Sequence, residues 1–180
     1  MKMAITAGKV ISVCAALAAT VLLNGCGLTQ TVSEGTKSVA TSIFYKQVRT
    51  LHLDIRARAA LNTREDGIPL PVVLRIYQLK DRKAFDSADY PALFAGDGQV
   101  VNADLLAEKD IRLKPGEAAQ VDMPMEETAQ YVAVAAMFLA PDQPRNTWRV
   151  VIPRKDLDPD KARLIEAGDN RLTLLPVKEK

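Results

Sequence analysis

The sequence predicts an all-β domain, a two-sheet β-sandwich with short added helices. From Leu51 onward the apolar residues recur with period two, the signature of strands buried on one face. Short apolar runs are separated by Pro-Asp, Gly-Asp-Asn and Pro-Arg-Asn clusters that supply turns. One run, Tyr131 to Leu139, is apolar on both faces and belongs at the centre of a sheet. A chain of 180 residues can build one domain with a real core but is small for two.

The first 25 residues have a different character. Lys2 and Lys9 give a positive start, and Val10 to Leu23 is apolar or small without a charge, the pattern of a signal peptide. A bilayer-spanning helix needs ~20 predominantly apolar residues, so this run is too short to remain as an anchor. It ends at Leu23-Asn24-Gly25-Cys26, which resembles the lipobox of bacterial lipoproteins, with Leu three before the cysteine and a small residue just before it. The expected domains are therefore residues 1–25 as a lipoprotein signal peptide, 26–36 as a lipidated N-terminus and flexible tether, and 37–180 as the β-sandwich, with Cys26 as the lipidation site. In lipoproteins of this kind an Asp directly after the cysteine favours the inner membrane. Here Gly27 follows, which implies the outer membrane, on its periplasmic face.

Cleavage before Cys26 takes away Lys2, Lys9 and no acid, so 24 basic side chains fall to 22, equal to the 22 acidic ones. A balanced chain without a basic run longer than a pair gives no electrostatic case for nucleic acid. Cys14 leaves with the signal, and Cys26 is expected to carry lipid, so no intrachain disulfide is available and the core must hold the fold.

Along the mature chain, Gly27 to Glu34 is small and polar, as suits a tether. Lys37 to Gln47 is expected to form a short helix with Val39, Ile43 and Phe44 on one side. Leu51 to Ala59 is the cleanest strand, with Leu51, Leu53, Ile55, Ala57 and Ala59 on one face and His52, Asp54, Arg56 and Arg58 on the other. Leu61 to Leu70 then spends more residues than a tight hairpin requires, so it is either a loop with a task or a tolerated insertion. Pro71 to Leu79 is the second strand. Asp81 to Ala107 lacks alternation, with Phe85, Tyr90, Leu93, Phe94, Leu105 and Leu106 among acids and small residues, and reads as short helices packed on a sheet. Strands Ile111–Leu113 and Gln120–Met123 flank the Lys114-Pro115-Gly116-Glu117 turn. Tyr131–Leu139, Thr147–Ile152 and Arg171–Val177 complete a set of roughly seven.

Catalytic chemistry finds little support. His52 is the only histidine, and on the polar face of a strand a lone His is usually a surface residue. Metal sites need several converging His, Cys or carboxylate groups, so no metal and no cofactor is expected. No serine sits in a G-x-S-x-G turn, and no glycine-rich phosphate cradle appears. The acidic pairs Glu65-Asp66, Asp86 with Asp89, Glu126-Glu127 and Asp158 with Asp160 fall in turns or polar loops, where solvated charge explains them. Trp148, Tyr77 and Tyr131 read as core packing on strands.

The run from Leu61-Asn62 through Asp66-Gly67 into Pro69-Leu70-Pro71-Val72-Val73-Leu74-Arg75-Ile76-Tyr77-Gln78-Leu79 resembles the type VI secretion outer-membrane lipoprotein family, called TssJ, VasD or SciN. Ala84-Phe85, Asp89-Tyr90, Leu93-Phe94, the turn from Leu113 to Glu117, Tyr131 to Phe138 and Trp148-Arg149 follow in the family's order. This resemblance implies a transthyretin-like sandwich without enzymatic activity. It also implies docking to the periplasmic C-terminal region of the inner-membrane protein TssM, which with TssL forms a trans-envelope complex. The family's contact loop maps onto Leu61 to Leu70, and the expected partner-binding residues are Asn62, Thr63, Arg64, Glu65, Asp66, Gly67 and Ile68. Two other classes remain: a periplasmic ligand- or glycan-binding lipoprotein, which needs a deep pocket, and a hydrolase built on one carboxylate pair.

Overall fold

The computed structural model describes residues 47–94 and 99–177. The expected signal segment, the expected lipidation site Cys26, the expected tether and the expected helix up to Lys46 lie outside the described residues. Eight strands are seen among the described residues: β1 Thr50–Ala57, β2 Val72–Leu79, β3 Leu105–Leu113, β4 Ala118–Pro124, β5 Tyr131–Ala136, β6 Arg149–Pro153, β7 Arg163–Gly168 and β8 Arg171–Leu174. They form two four-stranded sheets, ordered β4-β1-β7-β8 and β3-β2-β5-β6. All pairings are antiparallel except β1 with β7.

Alternation builds the core. Leu51, Leu53 and Ile55 of β1 are buried, while Arg56 is exposed. On β2 and β5 the pairs Leu74–Ala136, Ile76–Val134 and Gln78–Val132 share one face, and Arg75–Ala135 and Tyr77–Ala133 share the other. Both faces of β5 are buried because the outer one is covered by helices α1 (Lys83–Ser87) and α2 (Tyr90–Phe94). Small residues at Ala133 and Ala135 leave room there for aromatic rings. Tyr77 meets Phe85 edge-on at 5.4 Å and donates its hydroxyl to the Leu93 carbonyl at 3.1 Å. Tyr90 packs between Phe94 and Trp148, with both ring centroids 5.0 Å away. Phe85 and Leu93 are fully buried, worth about 1.5–3 kcal/mol each. Asp89 caps α2 by accepting the Ala92 N–H at 2.8 Å.

Several expectations are corrected. The eighth strand, β7, goes unread in the sequence because its inward residues, Arg163, Ile165 and Ala167, include a cation and a small side chain. The strand expected at Ile111–Leu113 begins at Leu105, which takes Leu105 and Leu106 out of the helical stretch. It is an edge strand with a single buried residue, Leu113, so burial imposes no clear alternation on it. Strand β5 ends at Ala136, where the Phe138 N–H turns back to the Ala136 carbonyl. Trp148 is buried but directly precedes β6.

The register fixes two poles. At one, the chain enters β1 at Thr50, opposite Pro124, and Tyr131 faces Pro153. Here the Arg154 guanidinium lies 2.8–2.9 Å from the carbonyls of Glu126, Glu127, Ala129 and Val48, pinning the entering chain. At the other pole, β1 ends at Ala57 and the connections 58–71, 114–117, 137–148 and 169–170 gather. An eight-residue strand separates the poles by about 26 Å.

Candidate functional site

The second pole carries the loop singled out in the sequence. Its base is braced by β7 and the turn into β8. The Arg58 N–H donates to the Ala167 carbonyl at 2.8 Å, the Asp169 N–H to the Ala60 carbonyl at 2.9 Å, and Arg58 pairs with Asp169 at 3.1 Å. Leu61 is fully buried and anchors the entry. The Leu70 N–H returns to the Leu61 carbonyl at 3.1 Å, and the Arg64 N–H to the Ile68 carbonyl at 3.0 Å. Between them the Gly67 N–H closes on the Arg64 carbonyl at 3.0 Å, with Gly67 at φ +81°. Asp66 accepts the Ile68 N–H at 3.2 Å and faces Arg64 at 3.2 Å. The backbone of this loop is thus ordered by its own hydrogen bonds.

The expected contact residues divide. Arg64, Glu65, Asp66 and Gly67 are exposed, and Ile68 is 50% exposed, an apolar side chain held in water. Thr63 is half-buried and lines an open groove of about 430 Å³ with Arg64, Glu65, Asp66, Leu139 and Ala140. Asn62 is turned inward, only 4% exposed, at φ +47°, in place of the surface position expected for it. Its amide donates to the Pro71 carbonyl at 3.1 Å, and its Oδ1 accepts the Leu139 N–H at 2.8 Å. Both polar ends of Asn62 are occupied within the chain, so it shapes the loop. The neighbour it holds, Leu139, is 61% exposed, and Met137 nearby is 39% exposed. The sequence did not single out this segment, because its apolar residues continue a buried run.

The other candidate chemistry is distributed differently. His52 faces Asp122 across β1 and β4, with Nδ1 2.5 Å from Oδ1, on an outer sheet face. Asp86 pairs with Arg82 at 2.5 Å, Asp89 caps a helix, and Asp158 accepts the Asp160 N–H at 2.8 Å. That backbone donor, helped by Lys161, holds the Asp158 carboxyl below its usual range. Among the described residues no group of three or more His, Cys, Asp or Glu side chains is placed to hold a metal.

Known proteins match this fold closely. A family model described as type VI secretion lipoprotein, VasD, EvfM, TssJ matches residues 49–171. A chain from a structure of a type VI membrane complex is 60% identical, with 72% of this chain and 100% of that one covered and a TM-score of 0.70. A chain from a structure described as the T6SS protein TssM C-terminal domain from EAEC is 59% identical, with the same coverage and a TM-score of 0.67. The T6SS lipoprotein TssJ1 from Pseudomonas aeruginosa, at 24% identity, 72% and 98% coverage and a TM-score of 0.59, shares the fold. No curated protein matches significantly. The chain belongs to the type VI secretion lipoprotein family of TssJ, VasD and EvfM.

Proposed function

We propose that this lipoprotein is anchored by a lipid on Cys26 to the periplasmic face of the outer membrane. There it docks the periplasmic C-terminal region of TssM, tying the outer membrane to a trans-envelope complex that also contains TssL. The observation that carries this reading is the 60% identity to a chain of a type VI membrane complex, over that chain's full length. The 59% match within a structure described by the TssM C-terminal domain supports the choice of partner. The role is mechanical and involves no catalytic step of its own.

The two poles suit such a link. The chain enters beside Val48 at one end, and residues 62–68 occupy the other, so tension on the lipid would run along β1 to the docking loop. In this reading Arg64, Glu65 and Asp66 orient the partner and speed encounter, while Ile68 supplies an apolar anchor.

The test is a titration of the mature chain, freed of signal and lipid, against the TssM periplasmic region, with residues 63–69 intact or replaced by a short Gly-Ser turn that keeps the buried Leu61 and Asn62. Intact binding and a loss of tenfold or more in the replacement are expected. Full affinity in the replacement would remove the loop assignment, and no binding by the intact chain would remove the docking function. In cells, Cys26→Ser should leave a folded protein that binds TssM but no longer supports secretion.

A further inference from the structure

Among the described residues, five large hydrophobic side chains are exposed: Ile68, Val100, Met137, Leu139 and Val177. Ile68, Met137 and Leu139 belong to connections at the loop pole. Leu139 lines the same groove as Thr63, Arg64, Glu65 and Asp66. The segment is held from both sides, by the Met137 N–H on the Val73 carbonyl at 2.8 Å and by the Leu139 N–H on Asn62 Oδ1 at 2.8 Å. An ordered backbone that presents a leucine 61% exposed spends apolar surface on water. A partner that covers it recovers that cost.

We propose that the docking face is composite. The segment Met137–Ala140 forms its second half, and Asn62 is the positioning residue that locks this segment to the 61–70 loop. The inference rests on the docking function proposed above and names a surface of that same site. Its occupant is the TssM periplasmic region, presenting apolar surface to Leu139 and Ile68 with polar groups of both signs around it, to match Arg64, Glu65 and Asp66. Continuity argues for one occupant, since the two segments share a single groove. Because Asn62 is only 4% exposed and both its polar ends bond within the chain, its effect is exerted through preorganisation of the two segments.

The experiment measures affinity of the mature chain for the TssM periplasmic region in five forms: intact, loop-replaced, Leu139→Asp, Asn62→Gly and Asn62→Asp. Leu139 is exposed, so Leu139→Asp leaves the core alone, and a loss of about tenfold or more is expected for a buried anchor. Asn62→Gly keeps the left-handed backbone accessible but removes both side-chain bonds. It should weaken binding several-fold and speed hydrogen exchange at the Leu139 amide. Asn62→Asp, which restores an acceptor for that amide, should recover part of the affinity. If the intact chain fails to bind, the docking function itself is wrong. If the intact chain binds and the loop replacement does not, yet Leu139→Asp binds at full affinity, the composite face is overturned and the loop acts alone. Weakened binding in Asn62→Gly with unchanged exchange at Leu139 would overturn the positioning role.

Discussion

The side chain of Gln78, on β2 in one sheet, donates to the carbonyl of Pro124, the last residue of β4 in the other, at 2.8 Å. Its Oε1 also accepts the Glu126 N–H at 2.7 Å. Gln78 is wholly buried, so both polar atoms must be satisfied inside the protein. One amide therefore fixes the spacing of the two sheets at the pole where the chain enters. Replacing it with Leu preserves volume but breaks both bonds. A loss of about 2 kcal/mol is expected. Urea unfolding should show a lower midpoint with an unchanged slope, because the same surface is exposed.

Arg149 plays a comparable part on the outer face. Its guanidinium reaches the carbonyls of Phe85, Asp86 and Ala88 at 2.5, 2.8 and 3.0 Å and Asn146 Oδ1 at 3.0 Å. It also lies over the rings of Trp148 and Phe85, at 4.7 and 5.4 Å. Burial pulls its pKa below the ordinary value, partly offset by the charge of Asp86. Short α1 leaves its last carbonyls without helical partners, and this side chain supplies them. Arg149→Met keeps the stem packing and removes the donors, and should cost about 2–3 kcal/mol. The fluorescence of Trp148, the single tryptophan, should change with it. Arg149→Lys should rescue little, because a point ammonium cannot span four acceptors in a plane.

Alkaline pH should weaken the fold in a defined window. Burial pushes the phenols of Tyr77 and Tyr90 up to about 12 from 10.0. Between about 10 and about 12 the unfolded chain releases these protons and the native protein keeps them, so stability falls as pH rises. Below 10 the contribution is complete. Tyr77→Phe loses the bond to Leu93 and about 1 kcal/mol at neutral pH. Its stability should then fall less steeply above pH 10 than that of the parent. An identical slope in base titration monitored by circular dichroism would contradict this.

The sequence and the fold agree where one force dominates. β1 could be read because one face meets the core and the other meets water. β5 could be read as central because helices cover what would be its solvent face, so Ala133 and Ala135 are as buried as Val132 and Val134. The Arg75-Ile76-Tyr77-Gln78-Leu79 block, which suggested the family, proves to be structural. Arg75 grips Asp110 at 2.8 and 2.9 Å, Tyr77 holds α2, and Gln78 joins the sheets. Residues 105–110 of β3 and the whole of β7 escaped because an edge strand and a strand with an inward arginine lack that contrast. At the site, the 61–70 loop stood out by length and composition. Asn62 did not declare itself as an internal clamp, because its partners at Pro71 and Leu139 are 9 and 77 residues away.

Gly67 offers the cleanest separation of loop shape from loop chemistry. It sits at φ +81°, and a Cβ built there would meet nothing within 4 Å, so a substitution carries conformational cost without a clash. For Ala that cost is about 1 kcal/mol, applied at the turn that aligns Ile68 with Arg64. Global unfolding should change by no more than that amount, since the core at Leu61 and Val72 is untouched. Should the loop relax to escape the strain, the folded chain keeps its stability and the docked state takes the cost, lowering affinity about fivefold. Gly67→Asn should bind more tightly than Gly67→Ala despite its larger side chain, because Asn tolerates the left-handed region. If both substitutions left affinity and stability at the parental values, the ordered turn would have no part in docking.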